Sequence, residues 1–122
     1  MPRWPRKVLT RIRQLAVARK VQFTLKARRE LAGLEAGLDE EDACDILANL
    51  TVEDSAGRLR SVATGEWMYL FKPELAGTVL YVKLILRNDC VVVSFHEDEG
   101  GSHEKDEYPE SSSDAAQARP AL

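Results

Sequence analysis

Helices first and an antiparallel meander after them is the order the sequence predicts, an α+β fold with N-terminal helices packed on one face of a twisted antiparallel sheet. Two observations carry it. Apolar residues recur at three- and four-residue spacing up to Leu50, and from about residue 52 the period changes to two. A third observation sets the scale: 122 residues suit one core and leave no room for a second of useful size. The expected domain covers residues 1–98. Residues 99–122 are rich in Glu, Asp, Ser, Gly, Pro and Ala, which predicts a disordered acidic tail.

Pro5 suits the first turn of a helix, where its missing N–H costs nothing. Val8, Ile12, Leu15 and Ala16 then make one apolar stripe, with Arg6, Lys7, Arg11, Arg13, Arg19 and Lys20 around it. Val21-Gln22-Phe23 reads as a short extended piece. Thr24 is a candidate N-cap for a second helix that holds Leu25, Ala27, Arg28, Leu31 and Ala32. Asp39 is a candidate N-cap for a third, with Glu40, Glu41 and Asp42 in the first turn, where negative charge suits the helix dipole. In that third helix Ala43, Ile46, Leu47 and Leu50 form the core-facing stripe.

Arg58 to Val62 alternates, and Glu66 to Phe71 is an aromatic-rich strand that Lys72-Pro73 ends. Val79–Leu86 and Cys90–His96 form the clearest hairpin. A two-residue turn at Asn88-Asp89 would pair Arg87 with Cys90, Leu86 with Val91, Leu84 with Val93 and Val82 with Phe95, the last three pairs facing the core with Leu80. The opposite side then carries Tyr81 across from His96 and Lys83 across from Ser94, with Ile85 and Val92 nearer the turn.

Charge is unevenly spread. Residues 1–29 hold ten Lys/Arg and no acid, residues 30–96 five against twelve, and residues 97–122 two against eight. A basic end of this kind suits a polyanion or an acidic partner. No apolar run approaches the ~20 residues of a membrane helix. The N-terminus lacks the apolar core of a secretory signal, which predicts a cytoplasmic protein with no membrane contact. Cys44 and Cys90 have no metal-ligand spacing with the histidines, so neither a structural zinc nor a disulfide framework is expected.

A phenol, an ammonium, a hydroxyl and an imidazole on one sheet face fit metal-free RNA cleavage. In that reaction the ribose 2′-OH attacks the adjacent phosphate and the 5′-oxygen leaves. The step needs groups that move protons and cations around the phosphate. His96 suits the proton work near neutral pH. Lys83, Arg58 and Arg60 suit the phosphate. Tyr81 can donate to it or stack on a base, and Trp67 is a second stacking candidate, although burial is the commoner fate of a tryptophan.

These residues also resemble a known family. Leu9 to Val21, Gly37-Leu38-Asp39 with Cys44, Trp67, Tyr81-Val82-Lys83 and Val91-Val92-Val93-Ser94-Phe95 resemble the MqsR family of bacterial type II toxins. The resemblance spans about residues 8–97. It implies a RelE-like toxin fold and a ribosome-independent, metal-independent mRNA endonuclease that prefers GCU-type sites and uses no cofactor. It further implies a cognate antitoxin as partner, with contact to promoter DNA only through the toxin–antitoxin complex. The family's active-site tyrosine falls on Tyr81, and its lysine after the Ser-Phe pair falls on His96. An upstream lysine falls near Gly57-Arg58, which makes Arg58 the substitute, and a glutamine falls on Met68. The sheet face and the resemblance together make Tyr81, His96, Lys83 and Arg58 the catalytic candidates, and Arg60, Trp67, Met68 and Ser94 the candidates for RNA contact. Two other classes fit the same sequence: an RNA- or antitoxin-binding relative that has lost cleavage, and an interaction protein whose basic helix grips an acidic partner.

Overall fold

The computed structural model describes residues 4–98, so the acidic tail expected from residue 99 lies outside the described residues. Helix α1 spans Trp4–Val17 and buries Val8, Ile12, Leu15 and Ala16, the stripe that its spacing predicts, with Leu9 beside it. It ends in a Schellman pattern: Lys20 N–H donates to Leu15 O and Arg19 N–H to Ala16 O, with Arg19 in the left-handed region at φ 59°. A non-glycine residue there costs about 1–2 kcal/mol. The Arg19 side chain holds it in place, donating to Ala16 O, Glu41 and Asp45. Helices α2 (Leu25–Ala32) and α3 (Glu40–Ala48) start at the predicted caps. Thr24 Oγ1 accepts from Ala27 N–H, and Asp39 and Asp42 make a reciprocal capping box.

Six strands complete the fold: β1 (Val21–Phe23), β2 (Ser55–Arg60), β3 (Trp67–Phe71), β4 (Glu74–Leu75), β5 (Thr78–Leu86) and β6 (Cys90–Glu97). Their order is β1-β6-β5-β3-β2, with β4 paired to β5 across the turn at Ala76-Gly77. Both turn residues have positive φ, the conformation that matches a tight hairpin to the twist of its strands. The α+β class and the helix-covered sheet agree with the sequence. The sheet, however, is mixed. The short extended piece after α1 joins it as β1 and runs parallel to β6, from Val21 opposite Cys90 to Phe23 opposite Val92.

Beyond Val92 the edge of β6 is covered by α2 instead of a strand. Thr24 N–H donates to Val92 O and its hydroxyl to Val93 O, Phe95 N–H donates to Glu30 Oε1, and Lys26 Nζ donates to Ser94 Oγ. An open β6 edge would be a pairing hazard, and the helix removes it.

The hairpin register corrects one part of the sequence reading. Tyr81 opposite His96, Val82 opposite Phe95 and Lys83 opposite Ser94 agree with it. Nearer the turn the pairs are Leu84 with Val92, Ile85 with Val91 and Leu86 with Cys90. The connection has three residues, Arg87 to Asp89, closed by Arg87 N–H donating to Asp89 O. A bulge at Val93 absorbs the extra residue and returns the pairing to the expected register. As a result Val92, not Val93, is fully buried in the core with Leu80, Val82, Leu84, Cys90 and Phe95, while Val91 and Val93 are half-buried.

Candidate functional site

Strand alternation sorts the candidate residues onto two faces. Phe71 pairs with Val82 and Tyr69 with Leu84, so β3 residues 67, 69 and 71 look toward the helices. Leu70 pairs with Lys83, so Leu70 and Met68 share the opposite face with Lys83, Tyr81, Ser94 and His96. Arg58 pairs with Tyr69 and Arg60 with Trp67, which puts both arginines and Trp67 on the helix-bearing side. The structure therefore brings Tyr81, Lys83, Ser94, His96 and Met68 together, and keeps Arg58, Arg60 and Trp67 apart from them.

The open face has a floor and a rim. Leu70, Tyr81 and Ser94 are buried although none belongs to the core on the helix side. Around them stand the longer side chains of Lys83 and His96. The His96 and Tyr81 rings stack, with centroids 4.9 Å apart and planes 10° from parallel. His96 Nδ1 lies 2.7 Å from Glu97 O. A carbonyl oxygen only accepts, so this bond calls for Nδ1–H and leaves Nε2 as the basic nitrogen of the neutral ring.

Two further cations reach this face that the sequence reading did not assign to it. Lys26 Nζ donates to Ser94 Oγ at 2.7 Å and pairs with Glu30 at 2.9 Å. Leu80 N–H donates to Pro73 O, which continues the β3–β5 pairing past the end of β3 and sets Lys72 beside Tyr81. Lys72 Nζ pairs with Asp98 at 3.5 Å. In the sequence Lys72 reads only as the residue before a strand-ending proline. Nothing local in the sequence singles out Lys26, and only the docking of α2 on the β6 edge carries it to Ser94.

On the other face the arginines gather around indoles. Arg58 Cζ lies 4.0 Å and Arg60 Cζ 4.1 Å from the Trp67 ring centroid, and Arg58 Cζ also lies 5.2 Å from that of Trp4. Cations over aromatic faces are held by the ring quadrupole.

The two cysteines are buried and unbridged. Burial pushes the Cys90 thiol up to about 12 and raises that of Cys44 as well, so both thiols are protonated structural groups near neutral pH. No helix among the described residues is long and apolar enough to cross a membrane.

A comparison with curated proteins finds no match. A family model described as "Motility quorum-sensing regulator, toxin of MqsA" matches residues 4–97, nearly the whole described chain. That span takes in all three helices and every strand of the sheet, together with both clusters of candidate residues. The chain belongs to the MqsR toxin family, and is thus the toxin of a toxin–antitoxin pair.

Proposed function

We propose that this toxin is a metal-independent mRNA endonuclease whose reacting groups lie on the open face of β5 and β6. The observation that carries the proposal is the stacked Tyr81–His96 pair, with its Nδ1–H bond, set beside Lys83 on a face that Lys26 and Lys72 also reach. Neutral His96 Nε2 takes the proton of a ribose 2′-OH as its oxygen attacks phosphorus. The P–O5′ bond breaks, and the imidazolium returns the proton to the 5′-oxygen. Lys83 stabilises the charge that builds on the phosphate oxygens. The products are a 2′,3′-cyclic phosphate and a 5′-hydroxyl, and the consequence in a cell is arrested translation and growth. Ser94 fixes Lys26 at the rim. Arg58, on the far face of the sheet, is left out of the chemical step.

The family resemblance extends the proposal to GCU-type sites, to a cytoplasmic setting, and to promoter DNA reached only through the antitoxin complex. Met68, beside Leu70 and paired with Leu59, offers an apolar contact where the family's glutamine offers an amide, so base preference is the element most open to change. Met68 also favours the second reading, a binding relative without cleavage. Incubating purified protein with a defined mRNA in chelator, then sequencing the new 5′ ends, tests the cleavage, its independence of metal and the base preference. Discrete cuts with 5′-hydroxyl ends support cleavage, and intact RNA leaves the binding reading.

A further inference from the structure

The helix-side cluster on β2 and β3 has no part in the proposed chemistry, yet it is built in an orderly way. Trp4, Arg58, Trp67 and Arg60 form an alternating ladder of indoles and guanidiniums, and Trp4 also lies 5.3 Å from the Tyr69 ring. From Trp4 the first turns of α1 continue the positive surface with exposed Arg6, Lys7 and Arg11. Many other cations are neutralised: Arg19, Lys26, Arg28, Lys72 and Arg87 all pair with carboxylates. Among the described residues no carboxylate pairs with Arg6, Lys7, Arg11, Arg58 or Arg60. Arg60 donates instead to Gly65 O.

We infer that this ladder is a second binding surface for single-stranded RNA, which holds the strand on the opposite side of the sheet from the Tyr81–His96 pair. The inference rests on the RNA reading of the protein. Guanidinium and indole planes offer faces on which bases stack, and guanidinium edges bind phosphate, which together is the chemistry of single-strand grooves. An acidic protein would use the charge but not the planes. Holding the guanidiniums over the rings in advance lowers the ordering cost of binding. Arg58 and Arg60 lie on the edge strand β2, two strands from β5. A strand that reaches both surfaces therefore passes around the β2 edge, and affinity depends on RNA length.

The chain has two tryptophans, both in the ladder, so intrinsic tryptophan emission reports on this surface alone. The probes are 2′-O-methyl RNAs, which cannot be cleaved, of about three and about fifteen nucleotides, the longer within the ~4–16 nucleotide span of single-strand-binding folds. The longer RNA is expected to change the emission and to bind at least about tenfold more tightly than the shorter one. The double variant Arg58→Glu/Arg60→Glu is expected to lose that length advantage and to keep its weak affinity for the short RNA. Long RNA that binds without changing the emission overturns the inference, and that measurement needs no variant. So does a length advantage that survives in the folded variant, or polyglutamate that perturbs the emission as strongly as RNA does. If RNA binds as described but is never cut, the cleavage proposal falls and this surface stands.

Discussion

The imidazole of His96 lies against the phenol ring of Tyr81, 4.9 Å between centroids and 10° from parallel, while the Tyr81 side chain is itself only 7% exposed. A buried ring of this kind is a poor platform for an RNA base. It is a good wall against which to orient an imidazole. The pair thus divides the labour proposed for it: Tyr81 positions, and His96 moves the proton.

His96→Ala should slow RNA cleavage by ~10²–10⁴-fold, the usual range for losing a general acid or base, and leave RNA affinity nearly unchanged. Tyr81→Phe separates ring from hydroxyl. If the ring acts by positioning, the phenylalanine variant keeps most of the rate and Tyr81→Ala loses it. Single-turnover rates alongside binding constants check both, and full activity in His96→Ala removes this face from the mechanism.

Lys83→Ala should weaken both RNA binding and the cleavage rate, because a cation beside the phosphate acts in ground and transition states alike. Its effect on binding should shrink as salt rises. A rate loss with unchanged affinity at low salt would assign Lys83 to proton transfer instead.

The bulge makes a sharp contrast between neighbours. Val92→Asp buries a charge among Leu84, Phe95 and the helices at a cost of several kcal/mol, and should give insoluble protein. Val93→Asp, at the half-buried bulge position, should fold. Soluble expression and thermal melting of the two variants check this, and the reverse outcome would restore a bulge-free hairpin.

Glu30 accepts the Phe95 N–H at 2.9 Å on the strand that carries His96. Glu30→Ala leaves that donor unsatisfied and should cost about 1–3 kcal/mol. Glu30→Gln keeps an acceptor and should cost less. Amide exchange at Phe95, faster in the alanine variant alone, is the readout.

Cys90 is raised to about 12 by burial, so its folded-state value lies above the ~8.5 of an unfolded thiol. Stability linked to it is fully present below about pH 8.5 and is lost as pH rises toward 12. Denaturant melts across that window should show less loss in Cys90→Ala. In the native protein near pH 8, alkylation of either cysteine should wait for unfolding.

Much of the fold was legible in local pattern. The stripe of α1 and the caps at Thr24 and Asp39 follow from short-range rules of spacing and capping, and the structure agrees with each, whereas the expected pairing of Tyr81 with His96 holds because the bulge offsets the longer turn. The sequence by itself also determined that Tyr81 shares a face with Lys83, and Ser94 with His96, because alternate residues of an unbroken stretch of strand point the same way. Tertiary structure decided the rest. Whether the hairpin connection held two residues or three was open locally, since Asn88 and Asp89 suit either, and the bulge at Val93 then chose Val92 for the core. The parallel pairing of β1 with β6 joins residues some seventy positions apart, beyond the reach of periodicity. Lys26 came to Ser94 only because α2 docks on the β6 edge. Arg58 was sent to the opposite face by its register against Tyr69, and hydrogen bonds between strands, invisible in the sequence of either one, set that register.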